Sequence, residues 1–271
     1  MRYKMIVLDL DGTLTNNKKE ITPRTKEVLT QYQEAGGKVV LASGRPTYGV
    51  MPLARELDLH RYGSYVLSFN GGVITECGTN QVLYEKTLPM DVPAKVYDLS
   101  RQYETSMLTY QDSYIITETP DDYYVQKEVF CTKMEPKKVE HLKSYVDFPV
   151  VKCMMMGKGI HLAEVEKKVK EYFGEALSIF RSEPYFLEIM PQGIDKAESL
   201  KRMLNQLGMS PDEMAAFGDG FNDKSMLMLA GLGVAMENGQ AAVKAVADYV
   251  APSNEEEGVA YVVEKLLDGS F

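Results

Sequence analysis

The sequence predicts an α/β fold, a parallel-sheet core with helices on both faces and a smaller α+β domain inserted into it. Three observations carry this expectation. Short, continuous apolar runs of strand length alternate with longer stretches whose apolar residues recur at helical spacing. Four of those runs end in polar and glycine clusters. Between residues 83 and 187 the alternation gives way to short paired strands mixed with longer polar helices.

The elements follow in order. MIVL, Met5–Leu8, reads as a buried strand. Thr22 can cap the next helix with Pro23 at its first position, Val28, Leu29, Tyr32 and Ala35 form its stripe, and Gly36 marks its stop. KVVLAS, 38–43, is a second strand, completing a βαβ unit, and a helix over 48–57 leads to the strand YVLSF, 65–69, which ends in Asn70-Gly71-Gly72.

In the middle, strands are expected at 105–109, 114–117, 150–156, 176–181 and 185–189, and helices at 92–103, 136–146 and 162–173. One face of that sheet should be covered by helices and the other left free. The parallel pattern then resumes. Ala197, Leu200, Met203, Leu204 and Leu207 make a helical stripe closed by Gly208, followed by a strand at 214–217. A helix at 224–230, a strand at 232–236, a helix at 241–247, a strand at 249–251 and a last helix at 259–267 complete the series. The expected division is residues 1–82 and 188–271 for the core and 83–187 for the insert.

Composition narrows the function. With 271 residues, 45% hydrophobic and 25% charged, the chain can bury two cores. Its net charge of -9 and lack of a basic stripe argue against a nucleic-acid groove, so an anionic substrate needs local cations. Cys77, Cys131 and Cys153 are odd in number and lack metal-site spacing, and are expected as reduced thiols. The apolar run at the N-terminus is too short for a signal peptide, and no stretch reaches the about 18 apolar residues of a membrane span, so a cytoplasmic location is expected.

In an open parallel sheet, ligands bind beyond the carboxyl ends of the strands. There the sequence places Asp9 and Asp11 in DLDGT, Ser43 in SGR, Asn70 with its two glycines, and Asp219, Asn222 and Asp223 in GDGFND. A calcium loop would also place Asp9, Asp11, Thr13 and Glu20 at ligand positions, but it needs a glycine where Leu14 stands and a helix where this chain has a strand. Four carboxylates in one cleft repel, by about 4 kcal/mol per pair at about 4 Å and an effective dielectric near 20. A hard divalent cation relieves this, and Mg²⁺ suits few carboxylates plus substrate phosphate. Lys196, at the start of its helix, works against the helix dipole unless it supplies fixed positive charge to a phosphate. Ser43-Gly44-Arg45 and Asn70-Gly71-Gly72 offer donors suited to an oxyanion, and Gly12 lets the backbone approach it.

Through DLDGT, SGR followed by Pro46, EIMPQGIDKAESL from Glu188, GDGFND and MLMLAGLGVAMENG from Met226, the chain resembles the haloacid dehalogenase superfamily of phosphohydrolases. Specifically it resembles the Cof-type branch with a large inserted cap, type IIB, along its full length. Two departures stand out, Ala197 after the lysine where the family often has glycine, and Gly239 where it often has alanine.

The resemblance implies a Rossmann-like core and a set of roles. Asp9 is the nucleophile that forms an aspartyl-phosphate, and Asp11 protonates the leaving oxygen and then activates water. Lys196 neutralises Asp9 and the phosphoryl oxygens. Ser43, Gly44, Asn222 and the Asp11–Gly12 turn hold the phosphate, with Arg45, Asn70 and Gly71 as further substrate contacts. Mg²⁺ is held by Asp9, the backbone carbonyl of Asp11 and Asp219, with Asp223 steadying its water shell. The cap acts as a lid and reads the rest of the substrate, with Tyr110, Tyr114, Tyr123, Tyr124 and Tyr185 as aromatic candidates. The expected activity is a Mg²⁺-dependent phosphatase for a small phosphorylated metabolite, most of all a sugar phosphate. A phosphomutase is the nearer alternative, and a non-catalytic phosphate sensor the more distant one. The expected partner is the small phosphorylated substrate, with no nucleic acid and no membrane, and the chain as a monomer or weak homo-oligomer.

Overall fold

The computed structural model describes residues 2–271, and it divides into two compact units: the chain up to Tyr84 with Asp195–Phe271, and Glu85–Ile194. The first begins with β1 (Met5–Leu8), α1 (Pro23–Glu34), β2 (Lys38–Ala42), α2 (Thr47–Glu56), β3 (Tyr65–Ser68), β4 (Val73–Glu76) and β5 (Val82–Glu85). The helix start is as the residues demand: the Thr22 hydroxyl accepts from the Thr25 N–H and Pro23 stands at the first position.

The second unit contains α3 (Val92–Gln102), β6 (Ser106–Gln111), β7 (Tyr114–Thr117), α4 (Tyr123–Thr132), β8 (Glu135–Lys138), α5 (Leu142–Tyr145), β9 (Cys153–Met156), α6 (Gly159–Phe173), β10 (Leu177–Glu183) and β11 (Phe186–Pro191). The chain returns to the first unit with α7 (Lys196–Leu207), β12 (Met214–Gly218), α8 (Lys224–Leu229), β13 (Leu232–Met236), α9 (Ala241–Lys244), β14 (Tyr249–Ala251) and α10 (Gly258–Leu267).

The core sheet runs β14-β13-β12-β1-β2-β3-β4-β5, parallel from β14 through β3 and antiparallel between β3 and β4. β1 lies at its centre, and the chain winds outward from it in both directions. This is the switch point at which such sheets open a binding crevice. Successive residues of each central strand feed opposite layers. Ile6, Leu8, Val39, Leu41 and Phe217 pack with residues of α1, α2 and α10. Met5, Val7, Val40, Ala42 and Ala216 pack with residues of α7, α8 and α9. The central strands are therefore apolar throughout, which is why they read as continuous runs.

The second unit has its own six-stranded sheet, β10-β11-β9-β6-β7-β8. Met107, Ile116, Cys153, Met155, Leu187 and Ile189 pack against Val96, Leu99, Leu142, Leu162, Val165 and Val169 of its helices. The opposite face is not left bare: Tyr110 donates its hydroxyl to Glu128 of α4 at 2.8 Å.

Several expectations are corrected. The insert does not end at 187, because that limit cuts β11, whose residues pair with both β10 and β9, and the units divide at 194/195 instead. No helix spans 136–146. Glu135–Lys138 is the edge strand beside β7, where Pro136 is tolerated, and only Leu142–Tyr145 is helical. α4, β4 and β5 are additions the periodicity missed. The three cysteines are free thiols, and burial pushes Cys77 and Cys153 up to about 12, which makes them unreactive. Among the described residues no helix is long and apolar enough to cross a membrane.

Candidate active site

The site is assembled at the carboxyl ends of β1, β2, β3 and β12. Register fixes its floor: Leu8 lies beside Phe217 and Leu41, so the residues that follow these strands emerge at one level. The Asp9 N–H donates to the Phe217 carbonyl at 3.0 Å, and the Ser43 N–H to that of Leu67 at 2.8 Å.

Lys196 is the centre of the arrangement. Its side chain is completely buried, and its ammonium donates to Asp9 Oδ1 at 2.6 Å and to Asp223 Oδ1 at 2.5 Å. Burial alone would depress its pKa, but the charges of Asp223 and Asp9 outweigh burial and raise it. Asp195 sets the lysine there. One of its oxygens caps α7 by accepting from the Ala197 and Glu198 N–H groups at 2.9 and 3.2 Å, and the other accepts from the Ser225 hydroxyl at 2.6 Å. Asp195 was not singled out from the sequence, although an acid directly before a helix start is a capping signal.

Asp9 is 6% exposed. Burial, then the nearby Asp223 charge, lifts its pKa well above the carboxylate range, and Lys196 only partly offsets them. Asp219 is pushed up to about 6, by burial and the Asp223 charge against the Thr13 hydrogen bond. Asp9, Asp219 and Asp223 each present a carboxylate oxygen within 4.8 Å of the others. Three carboxylates thus face a single buried ammonium, and the donors are all hard oxygens. That set fits Mg²⁺, since the missing positive charge is what the two raised acids lack.

The other contacts of these acids are structural. Asp223 Oδ2 accepts from the Asp219 and Gly220 N–H groups at 3.0 and 2.9 Å, tying the GDGFND loop to Lys196. Thr13 donates its hydroxyl to Asp219 Oδ1 at 2.7 Å. Gly12, at φ +90, lies so close to the Asp219 carboxylate that a Cβ there would stand 2.8 Å from its Cγ. A side chain at position 12 would displace that acid, and the left-handed backbone disfavours one in any case.

Asp11, two residues after Asp9, has different partners. Arg45 grips it with two parallel bonds, Nε to Oδ2 at 2.7 Å and Nη2 to Oδ1 at 2.6 Å, and Lys19 reaches Oδ1 at 2.7 Å. Burial raises its pKa, but the hydrogen bonds and charges of Arg45 and Lys19 overcome this and bring it down to about 2. In this state Asp11 is an ionised acceptor. Its carboxylate does not join the Asp9, Asp219 and Asp223 cluster. Lys19 was missed in the sequence because it lies in the turn after the motif and its partner is fixed only when that turn closes.

Ser43, Gly44, Asn70, Gly71 and Asn222 come together as a second wall. Ser43 Oγ accepts from the Arg45 N–H at 3.1 Å, so its own hydrogen is available to donate. The Asn70 N–H donates to the Ser43 carbonyl at 2.8 Å, and Asn222 donates to Asn70 Oδ1 at 3.0 Å. Phe69, Asn70 and Gly71 all have positive φ, at 51°, 56° and 94°. Such a run in non-glycine residues is uncommon away from functional sites. The Ser199 hydroxyl holds this loop to α7 through the Gly71 carbonyl at 2.8 Å. Arg45, expected as a substrate contact, is engaged by Asp11.

The aromatic candidates lie in the second unit and separate by environment. Tyr110 is buried, Tyr124 stacks on Tyr185 with centroids 5.5 Å apart, and Tyr123 and Tyr114 are exposed.

Comparison with known proteins agrees with this geometry. A family model for haloacid dehalogenase-like hydrolases matches residues 6–263. The Bacillus subtilis protein YxeH, named as a candidate phosphatase, is 32% identical over 268 residues, covering 98% of each chain. YcsE of the same organism, a 5-amino-6-(5-phospho-D-ribitylamino)uracil phosphatase, is 29% identical over 96% of this chain and 94% of its own. A solved haloacid dehalogenase-like hydrolase from Bacteroides thetaiotaomicron is 47% identical, with a TM-score of 0.95 over 97% of this chain and 99% of its own.

Proposed function

The chain belongs to the haloacid dehalogenase-like hydrolases and is a phosphatase of the Cof-type branch, and we propose that it is a cytoplasmic, Mg²⁺-dependent phosphatase acting on a small phosphorylated sugar or sugar alcohol. One observation carries the chemistry: Asp9, at the central strand end, shares a fully buried lysine with Asp223 beside a third carboxylate. The substrate class is supported by the relative that acts on a phosphoribityl compound. The net charge of -9 also fits a site that concentrates its cations on one small anion.

The residues divide the work. Asp9 attacks phosphorus and takes the phosphoryl group as an acyl phosphate, while the leaving oxygen departs with a proton. Lys196 holds Asp9 in line and offsets the charge of the equatorial oxygens, most of what phosphoryl transfer asks of a protein. Ser43, Asn222 and the main chain at Gly12 and Gly44 bind the phosphoryl oxygens. Asp11 leaves Arg45 and Lys19 when substrate arrives, takes up a proton from water and gives it to the leaving oxygen; it then takes a proton from the water that attacks the acyl phosphate, which releases phosphate and frees Asp9. Asp9, Asp219 and the main-chain carbonyl of Asp11 would hold Mg²⁺, with Asp223 in support. When bound, Mg²⁺ supplies the positive charge that lets Asp9 stand ionised beside a phosphate. The insert is the specificity domain.

The test is release of inorganic phosphate from p-nitrophenyl phosphate and from a panel of pentose, hexose and pentitol phosphates, with Mg²⁺ and with chelator. Mg²⁺-dependent release, fastest on a sugar or sugar-alcohol phosphate, is expected. Interconversion of sugar phosphate isomers without free phosphate would identify a mutase instead.

A further inference from the structure

Asp11 is held on both oxygens, and the second cation holding it belongs to no motif. Arg45, 5% exposed, is placed by the SGR loop. Lys19 comes from the turn that follows DLDGT, and its ammonium lies 2.7 Å from Asp11 Oδ1. An exposed lysine–aspartate pair contributes little. This one differs in three ways. The lysine side chain keeps only 22% of its surface, and the acid already carries a bidentate arginine. The lysine backbone also sits at φ 65, a conformation uncommon outside glycine.

What imposes it is Asn16. Its side-chain oxygen accepts from the N–H groups of Lys18 and Glu20 at 2.9 and 3.1 Å. Its carbonyl accepts from the Lys19 N–H at 2.9 Å, and its own N–H donates to the Glu20 carbonyl at 3.0 Å. The turn is therefore built by Asn16 and the main chain. The Lys19 ammonium is not needed to form it.

We propose that Lys19 is a positioning residue for Asp11: the turn 16–20 exists to bring a second cation to that carboxyl, and with Arg45 it fixes the path along which the carboxyl swings to the reacting oxygens. The proposal rests on the reading of Asp11 as the group that moves the proton. It assigns Lys19 no contact with substrate.

A double-mutant cycle tests it, with wild type, Lys19→Met, Asp11→Asn and the double variant assayed on p-nitrophenyl phosphate, whose good leaving group keeps weak turnover measurable. Lys19→Met should lower kcat about tenfold with KM within about twofold, as a misplaced reacting group does. In the Asp11→Asn background the same change should alter kcat by less than about twofold, because residues that act through one group do not add. Lys19→Arg should restore most of the loss. Equal losses in both backgrounds, an unchanged or raised kcat in Lys19→Met, or failure of Lys19→Arg to rescue would overturn the proposal. If Lys19→Met does not fold, Lys19→Gln takes its place in the cycle. Full turnover in Asp11→Asn alone would overturn the reading of Asp11 and the proposal with it, whereas a crippled Asp11→Asn beside a normal Lys19→Met overturns only the proposal.

Discussion

Asp9 and Asp11 leave the same strand end two residues apart, and their surroundings pull them in opposite directions. Asp9 is nearly sealed, shares one ammonium with Asp223, and is raised well above an ordinary carboxylate. Asp11 keeps 30% of its side-chain surface, is bonded by an arginine and a lysine, and is held at about 2. Two like groups on one turn thus have opposite surroundings: Asp9 is short of positive charge, and Asp11 has it on both oxygens. Paired carboxylates with divided environments are how one site runs two jobs. In the proposed mechanism Asp9 is completed by a cation, and Asp11 acts after leaving two.

The largest effect is expected from Asp9→Asn. Turnover should fall by about 10⁴-fold or more, the scale for removing a nucleophile. The midpoint of thermal unfolding without metal should hold or rise, because one of three crowded carboxylates is gone. Wild-type turnover, or a collapse of stability, would place Asp9 outside the chemistry.

A smaller effect is expected on the other acid from Arg45→Met. Asp11 has a lowered folded-state pKa, so its ion pairing stabilises the protein above about pH 4 and fades as pH falls toward 2. The variant should lose about 1–2 kcal/mol at neutral pH, limited because Lys19 remains and the carboxylate is partly solvated. In urea unfolding the gap between wild type and variant should close between pH 4 and 2. A gap that stays constant over that range would show that Arg45 acts through packing rather than through Asp11.

The smallest expected effect concerns Asp219, on the metal side of the site. Its folded-state value of about 6 lies above the ordinary 3.8, so the metal-free protein loses stability as pH rises from about 4 to 6. Mg²⁺ restores what ionisation costs. Adding it should raise the unfolding midpoint more at pH 7.5 than at pH 5, by roughly 3 °C. Equal shifts at both pH values would mean that the raised acids are not the binding groups.

Much of the core was legible because its strands are buried on both faces. MIVL, KVVLA and LGVAM have no alternation to confuse with anything else, and Thr22-Pro23 and Gly208 punctuate their helices locally. The insert was read less well for a matching reason. Glu135–Lys138 carries two lysines, a glutamate and a proline, and it is a strand only because β7 offers it an edge. No local propensity reports a partner contributed by residues 114–117.

Which side chains reach the rim was already written in the residue order, since each strand ends where its apolar run ends and the next residue must face the crevice. That order indicated likewise that Asp9, Asp11, Asp219 and Asp223 would meet in one cleft and need positive charge, because carboxylates that close repel. The structure keeps the Asp11 carboxylate out of that cluster. How that charge is shared is settled by contacts between residues far apart in the chain. Lys196 lies 187 residues from Asp9 and 27 from Asp223, and Arg45 lies 34 from Asp11. Whether a carboxylate is starved of positive charge or saturated with it depends on distances of a few ångströms between such residues, and chain folding alone sets those distances.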